Sequence, residues 1–130
     1  MTTYELKLDI DNKMKKTQLT NLLCKKTDVI RKIKHETIYA IFNIFETHKG
    51  YHVYVTYDTN AKLNPKDIVM LQLIYGSDPA REMHNLERIE KHIKNWNVLF
   101  SSKYKLKYRH NTFVLGKKIS AEKYVESFIY

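Results

Sequence analysis

The stretch THKGYHVYV, residues 47–55, constrains the fold of this chain more than any other feature. It carries Gly50, one of only three glycines, at a turn, and apolar and polar residues alternate after it. A period of two is typical of a β-strand with one face on the core. The preceding residues 37–45 are mostly β-branched or aromatic, as in a central strand. The pattern predicts a β-hairpin with His52 and Tyr54 on the face that points away from the core.

The N-terminal residues 4–11 show the same period of two. Their even positions are apolar and their odd positions are charged. The sequence therefore predicts a strand whose outward face carries Lys7, Asp9 and Asp11. In a sheet where this strand is the neighbour of the one after Gly50, these residues share a central patch with His52 and Tyr54.

Helix boundaries are marked by capping residues and prolines. Asn64-Pro65 and Asp78-Pro79 each place a cap before a proline, and Thr17 precedes an apolar stripe that runs to about residue 34. The remaining predicted elements are a short strand over residues 98–100, a hairpin within 104–115, and a last helix that Ser120 caps and that ends near residue 128.

This order of elements indicates one α+β domain over residues 1–130. The predicted architecture is a ferredoxin-like (βαββαβ) antiparallel sheet with helices on one face and a C-terminal β-hairpin and helix extension. Hydrophobic residues make up 43% of the chain, which is enough for a single core.

Positive charge is concentrated in two segments. Residues 13–34 hold eight Lys or Arg and one Asp, and residues 91–123 hold nine Lys or Arg and one Glu. Residues 36–90 hold five basic and eight acidic residues. With a formal net charge of +9, this distribution indicates contact with a polyanion such as nucleic acid. A Lys-rich surface without a specific partner is the alternative.

Two further features narrow the class of protein. Cys24 is the only cysteine, which excludes an intramolecular disulfide and a zinc site made of thiolates. No apolar run has the length of a membrane span or the form of a signal sequence. We therefore expect no membrane partner and a cytoplasmic location.

Asp9 and Asp11 are candidate metal ligands. Two carboxylates at alternate positions of one strand are a common way to hold a divalent ion for phosphoryl transfer, so magnesium or manganese is the expected cofactor of such a site. His52, which can contact a phosphate, joins them as a candidate catalytic residue. The alternative is that both carboxylates are solvated residues at a strand end, because Asp favours turns.

Two segments resemble motifs of the archaeo-eukaryotic primase palm, which has an RRM-like fold. LDID, residues 8–11, resembles its first motif, and THKGYH, residues 47–52, is similar to its second. The resemblance implies that Asp9 and Asp11 bind metal and that His52 contacts a nucleotide phosphate. The third motif has no counterpart, so the resemblance implies a minimal or degenerate palm that binds rather than polymerises.

The chain also resembles small proteins of archaeal viruses and plasmids in its size, in its bias towards Lys, Ile and Tyr, and in the segment GSDPARE, residues 76–82. This likeness implies a role in viral or plasmid replication and, for a virus, a location in the host cytoplasm.

Several residues are candidates for nucleic-acid contact. Tyr54 offers an outward ring for base stacking, as in an RNA-recognition motif, which Lys49-Gly50-Tyr51 also resembles. The strand KYKLKYR, residues 103–109, has a basic stripe that can follow a phosphate backbone or, equally, prevent sheet aggregation. The predicted nucleic-acid-binding residues are Lys7, Lys49, His52, Tyr54, Lys103, Lys105, Lys107 and Arg109.

The sequence is compatible with three functions. The first is nucleic-acid binding, and the second is a metal-dependent nucleotidyl transferase or nuclease. The third is a protein-interaction or virion-associated module that forms a homodimer through its sheet. A third carboxylate near Asp9 and Asp11 favours the enzyme, whereas an apolar open face favours the dimer.

Overall fold

The computed structural model describes residues 1–100, 102–109 and 111–130, and of residues 102–109 and 112–119 it describes the backbone alone. The elements run in the order β1 Thr2–Ile10, α1 Lys16–Lys34, β2 Ile38–Thr47, β3 Tyr51–Thr59, α2 Pro65–Ile74, α3 Pro79–Glu90, β4 Ser102–Arg109, β5 Thr112–Ser120 and β6 Glu122–Ile129. The fold is α+β, as predicted.

Four strands form an antiparallel sheet in the order β1-β3-β2-β6, and β4 and β5 pair as a separate hairpin. In a ferredoxin-like sheet the last strand pairs with the first. Here β6 pairs with β2, at the opposite edge, so the ferredoxin-like order is not confirmed.

The outer edge of β1 is occupied by side chains of α2, α3 and the turn between them. The Lys7 N–H donates to Gln72 Oε1, and the Asp9 N–H donates to Ser77 Oγ, both at 3.0 Å. Arg81 Nη1 donates to the Lys7 carbonyl at 2.7 Å. These bonds satisfy the backbone groups that a further strand would pair, so β1 stays an edge strand.

The core lies between one face of the sheet and helices α1 and α2. The alternation predicted for β1 and β3 is confirmed, since their apolar positions are buried and their polar positions face the other way. Phe42 of β2 packs edge-to-face on Tyr75, with ring centroids 5.8 Å apart. The buried apolar side chains of the core include Leu6, Leu8, Ile10, Leu19, Leu23, Ile30, Phe42, Ile44, Val53, Val55, Tyr57 and Leu71.

The predicted C-terminal helix is wrong, because residues 122–129 form the strand β6. The register with β2 shifts between Ile44 and Phe45, which is the signature of a β-bulge. The bulge turns both Val125 and Phe128 towards the core, where Phe128 stacks on Phe42. Apolar residues three positions apart also lie on one face of a helix, which is why the sequence of this segment is compatible with the helix that was predicted.

Two smaller predictions also differ from the structure. Residues 98–100 do not form a strand. Helix α1 begins at Lys16, so Thr17 lies inside it, and the Gln18 side chain accepts a hydrogen bond from the Lys15 N–H at 3.0 Å. The caps Asn64 and Asp78 are confirmed, since each side chain accepts a bond from a backbone N–H three residues later.

None of the helices in the described ranges combines the length and the hydropathy that crossing a membrane requires.

Candidate functional site

Asp9 and His52 face each other across the β1–β3 ladder, on the sheet face opposite the helices. Asp9 Oδ1 lies 3.7 Å from His52 Nε2. Tyr54 lies opposite Lys7 on the same face. The predicted proximity of Asp9, His52 and Tyr54 is therefore confirmed, although β1 is at the edge of the sheet and not at its centre.

Glu122, the first residue of β6, completes this cluster. Its Oε2 lies 2.8 Å from His52 Nδ1, and it accepts a hydrogen bond from the Tyr54 hydroxyl at 2.9 Å. The side chains of His52 and Glu122 are only 10% and 12% exposed. The imidazole is thus held between two carboxylates, with Glu122 at Nδ1 and Asp9 at Nε2.

Sequence reasoning missed Glu122 because it assigned this segment to a helix. Nothing within residues 122–129 alone distinguishes a bulged strand from a helix, since both place apolar residues three apart. The contact with His52 is set by the pairing of β6 with β2, which is a long-range feature.

Gly50 brings the hairpin turn against the end of β1. A Cβ added to Gly50 would lie 2.0 Å from the Ile10 carbonyl oxygen and 2.7 Å from the Asn12 nitrogen. The Gly50 N–H also donates to Thr47 Oγ1 at 3.1 Å. Glycine is required here because two backbone segments touch, and this contact adjoins the pairing of Asp9 with His52.

Asp11 follows the last residue of β1 and is exposed. It lines a groove of about 430 Å³ at the turn end of the sheet, which we call the Lys49 groove. The other residues that line this groove are Asp9, Thr47, His48, Lys49, His52, Asp78, Phe100 and Ala121. The structure therefore brings Asp11 and Lys49 to the same place as Asp9 and His52.

A second cavity of about 280 Å³ adjoins the same pair on the side of α3, and we call it the Arg88 cavity. It has an apolar wall from residues 98–100 and a polar wall that includes cationic groups. Its lining residues are Asp9, His52, Asp78, Ala80, Arg81, His84, Arg88, Val98, Leu99 and Phe100.

The environment of Asp9 disfavours its charge. Burial raises the pKa of the Asp9 carboxyl, and the nearby His52 and Arg81 oppose this shift without cancelling it. Burial also lowers the pKa of the Arg81 guanidinium, and the neighbouring Glu82 carboxylate opposes this shift. Likewise, burial and then the bond to Glu122 raise the pKa of the Tyr54 hydroxyl above its ordinary range.

Asp78 is a third carboxylate beside Asp9 and Asp11. Its backbone N–H donates to the Asp9 carbonyl at 2.7 Å, and its side chain caps α3 by accepting the Arg81 N–H at 3.3 Å. Within the described side chains, however, no three His, Cys, Asp or Glu residues converge as metal ligands. As arranged here they do not fit a magnesium or manganese ion, and we assign no step to one.

Aromatic rings form a row on the face of the sheet opposite the helices, the open face. Phe45 lies between Tyr54, with ring centroids 5.4 Å apart, and Tyr124, at 5.5 Å, both edge-to-face. Tyr124 is 57% exposed, as is Tyr39 further along β2. We call Tyr54, Phe45 and Tyr124 the aromatic row.

The described part of the open face is not basic. Strand alternation places one lysine, Lys7, among four carboxylates, Glu5, Asp9, Asp58 and Glu122. The side chains of Lys103, Lys105, Lys107 and Arg109 lie outside the described residues. The exposed lysines of α1 are on the other side of the sheet, so the strongest described positive charge lies away from the aromatic row.

Comparison with models of protein families, with curated proteins and with solved structures finds no match for this chain. Assignment of the site consequently depends on its geometry and chemistry.

Proposed function

We propose that the protein binds single-stranded nucleic acid across the open face of its sheet. The observation that supports this proposal is the aromatic row, which lies on the face that α1 and α2 leave free. Bases of a single strand stack on exposed aromatic side chains, and each such contact contributes about 1–3 kcal/mol. Bases inside a duplex are not accessible for stacking, so a single strand is the preferred ligand.

The net charge of +9 favours approach of a polyanion, but the charge of the open face limits the number of phosphate contacts. Lys7 lies on this face, and Lys49 lies in the groove at its turn end. Glu122 is already paired with His52 and Tyr54, which reduces its repulsion of a phosphate. We therefore expect stacking to contribute more than ion pairing, with a slope of log K against log salt of roughly −1.4 for the two contacts that Lys7 and Lys49 can make.

Fluorescence anisotropy with a labelled single-stranded 12-mer tests this proposal. The change Tyr124→Ala removes an exposed ring and should weaken binding by roughly 5- to 150-fold, the equivalent of about 1–3 kcal/mol. Met70→Ala is the matched control, since Met70 is 56% exposed on α2, away from the row. Equal affinity of Tyr124→Ala and the wild type, or stronger binding of a duplex, contradicts the proposal.

Self-association through the open face is a second candidate function. Ile41 and Ile129 are register partners on β2 and β6, with exposures of 38% and 76%, and Tyr39 extends this apolar patch along β2. A two-fold dimer needs a self-complementary patch, and apolar surface meets apolar surface without charge conflict. Sedimentation equilibrium of the wild type and of Ile129→Lys tests it: a dimer that the variant abolishes supports this function, and a wild-type monomer excludes it.

A role in viral or plasmid replication, which the likeness to small archaeal virus and plasmid proteins implies, belongs to the same proposal, because replication exposes single strands.

A further inference from the structure

The Arg88 cavity begins where the aromatic row ends. His52 lines the cavity, and Glu122 contacts both His52 and Tyr54, the first ring of the row. A strand that lies along the row therefore has this cavity beside its end.

The dimensions of the cavity suit one ring system. Its volume of about 280 Å³ lies near the lower limit of small-ligand pockets, which span about 300–1,000 Å³. Val98, Leu99 and Phe100 supply an apolar wall, and Phe100 is 74% exposed. Such walls are the usual surroundings of a nucleotide base that has left its stack.

Arg81 builds this wall and is not free to bind a ligand. Its Nε donates to the Val98 carbonyl at 2.7 Å, and its Nη2 donates to Asn97 Oδ1 at 2.9 Å. Nη1 donates to the Lys7 carbonyl of β1 at 2.7 Å. Arg81 is therefore a positioning residue that fixes residues 97–98 against the sheet, whereas Arg88 supplies a further cationic group at the cavity.

Two carboxylates line the cavity: Asp78, whose Oδ2 already accepts the Arg81 N–H, and Asp9, which is the acceptor left for a ligand. Its backbone is fixed on both sides, by Ser77 Oγ at the N–H and by the Asp78 N–H at the carbonyl. Its carboxylate is half-buried, and no described residue donates a hydrogen bond to it, since His52 Nε2 stays 3.7 Å away. The Asp9 side chain is 32% exposed, so its carboxylate is accessible to a donor on a ligand in the cavity.

We propose that the Arg88 cavity receives one unstacked base of the bound strand and that Asp9 selects bases with an exocyclic amino group. This inference rests on the proposed nucleic-acid binding and adds a base preference to it. The amino group of cytosine donates to a carboxylate, whereas thymine and uracil present a carbonyl oxygen at the same position, where it meets another acceptor. Adenine and guanine also carry an amino group, so cytosine against thymine is the comparison that keeps ring size constant.

Anisotropy titrations with labelled oligo-dC and oligo-dT of equal length test the preference. The wild type should bind oligo-dC at least about tenfold more tightly than oligo-dT. A cytosine amino group donates a hydrogen bond to the Asp9 carboxylate, whereas a thymine carbonyl oxygen would face that carboxylate as a second acceptor. In Asp9→Asn the amide can donate or accept, so the ratio should fall to about one. Asp11→Asn is the matched control, since Asp11 lines the Lys49 groove and not the Arg88 cavity, and its ratio should equal that of the wild type.

Each outcome has a definite meaning. Equal binding of both oligonucleotides by the wild type, or a preference that Asp9→Asn retains, overturns the base preference while nucleic-acid binding stands. No binding of either oligonucleotide overturns both. Thermal unfolding of the variants confirms that each one is folded.

Discussion

Replacement of Gly50 by alanine should be among the most destabilising single changes in this protein. The new Cβ would lie 2.0 Å from the Ile10 carbonyl oxygen and 2.7 Å from the Asn12 nitrogen, and both are backbone atoms that cannot rotate away. Insertion of a methyl group into packed structure costs about 1–3 kcal/mol when side chains can adjust. Because the hairpin turn and the end of β1 must separate instead, we expect about 3 kcal/mol or more.

Gly76→Ala is the matched control for this change. Gly76 has a φ of +98°, but a Cβ there meets its nearest atom, Ile10 Cδ1, at an ordinary 3.8 Å. Its cost is conformational strain alone, about 1–2 kcal/mol. Urea denaturation should rank Gly50→Ala as less stable than Gly76→Ala, and each kcal/mol lowers Tm by about 2–8 °C. The reverse order, or a neutral Gly50→Ala, refutes the close-packing account of this turn.

Three further predictions concern the polar groups at and behind the site. Glu122→Ala should lower the free energy of unfolding by about 1–3 kcal/mol in urea denaturation, because it leaves a buried imidazole and a hydroxyl without their acceptor. Glu126→Ala, which removes one partner of an exposed ion pair, should lower it by less than about 1 kcal/mol in the same assay. Asp9→Asn should stabilise the fold at pH 7, because the raised pKa of Asp9 means that the folded state disfavours the charged carboxylate. In denaturation measured from pH 7 to pH 3, this gain in stability should vanish below the ordinary Asp pKa of 3.8, where the carboxyl is protonated in both states. A gain that is unchanged at pH 3 contradicts this prediction. Glu82→Ala should lower the free energy of unfolding by about 3–5 kcal/mol, because it removes the ion-pair partner of the buried Arg81 guanidinium. Glu87→Ala, on the exposed side of α3, should leave stability nearly unchanged. Equal Tm values for the two variants would contradict this difference.

The parts of the site that follow from local alternation were predictable. A strand period of two fixes which residues share a face, so Asp9, His52 and Tyr54 were placed together from the sequence, and the structure confirms their proximity. Caps such as Asn64 and Asp78 also act locally, through a side chain and a backbone group three residues apart. Neither inference needs knowledge of distant parts of the chain.

The parts that depend on long-range pairing were not predictable. The strand order was not predicted because the Gln72 and Arg81 side chains occupy the outer edge of β1, where the last strand of a ferredoxin-like sheet would pair. Polar side chains on helices do not indicate by themselves that they bond the backbone of a strand. Glu122 was missed because a bulge in β6 gives Val125 and Phe128 a helical spacing. In both cases the deciding bonds join residues more than 60 positions apart, where sequence patterns carry little information.

Amide chemical-shift mapping tests the central claim most directly. Titration of ¹⁵N-labelled protein with an unlabelled single-stranded oligonucleotide should perturb the amides of β2, β3 and β6 around Phe45, Tyr54 and Tyr124, and leave the amides of α1 unchanged. Perturbation confined to the lysine-bearing surface of α1, or the absence of any perturbation, would contradict binding of nucleic acid by the aromatic row.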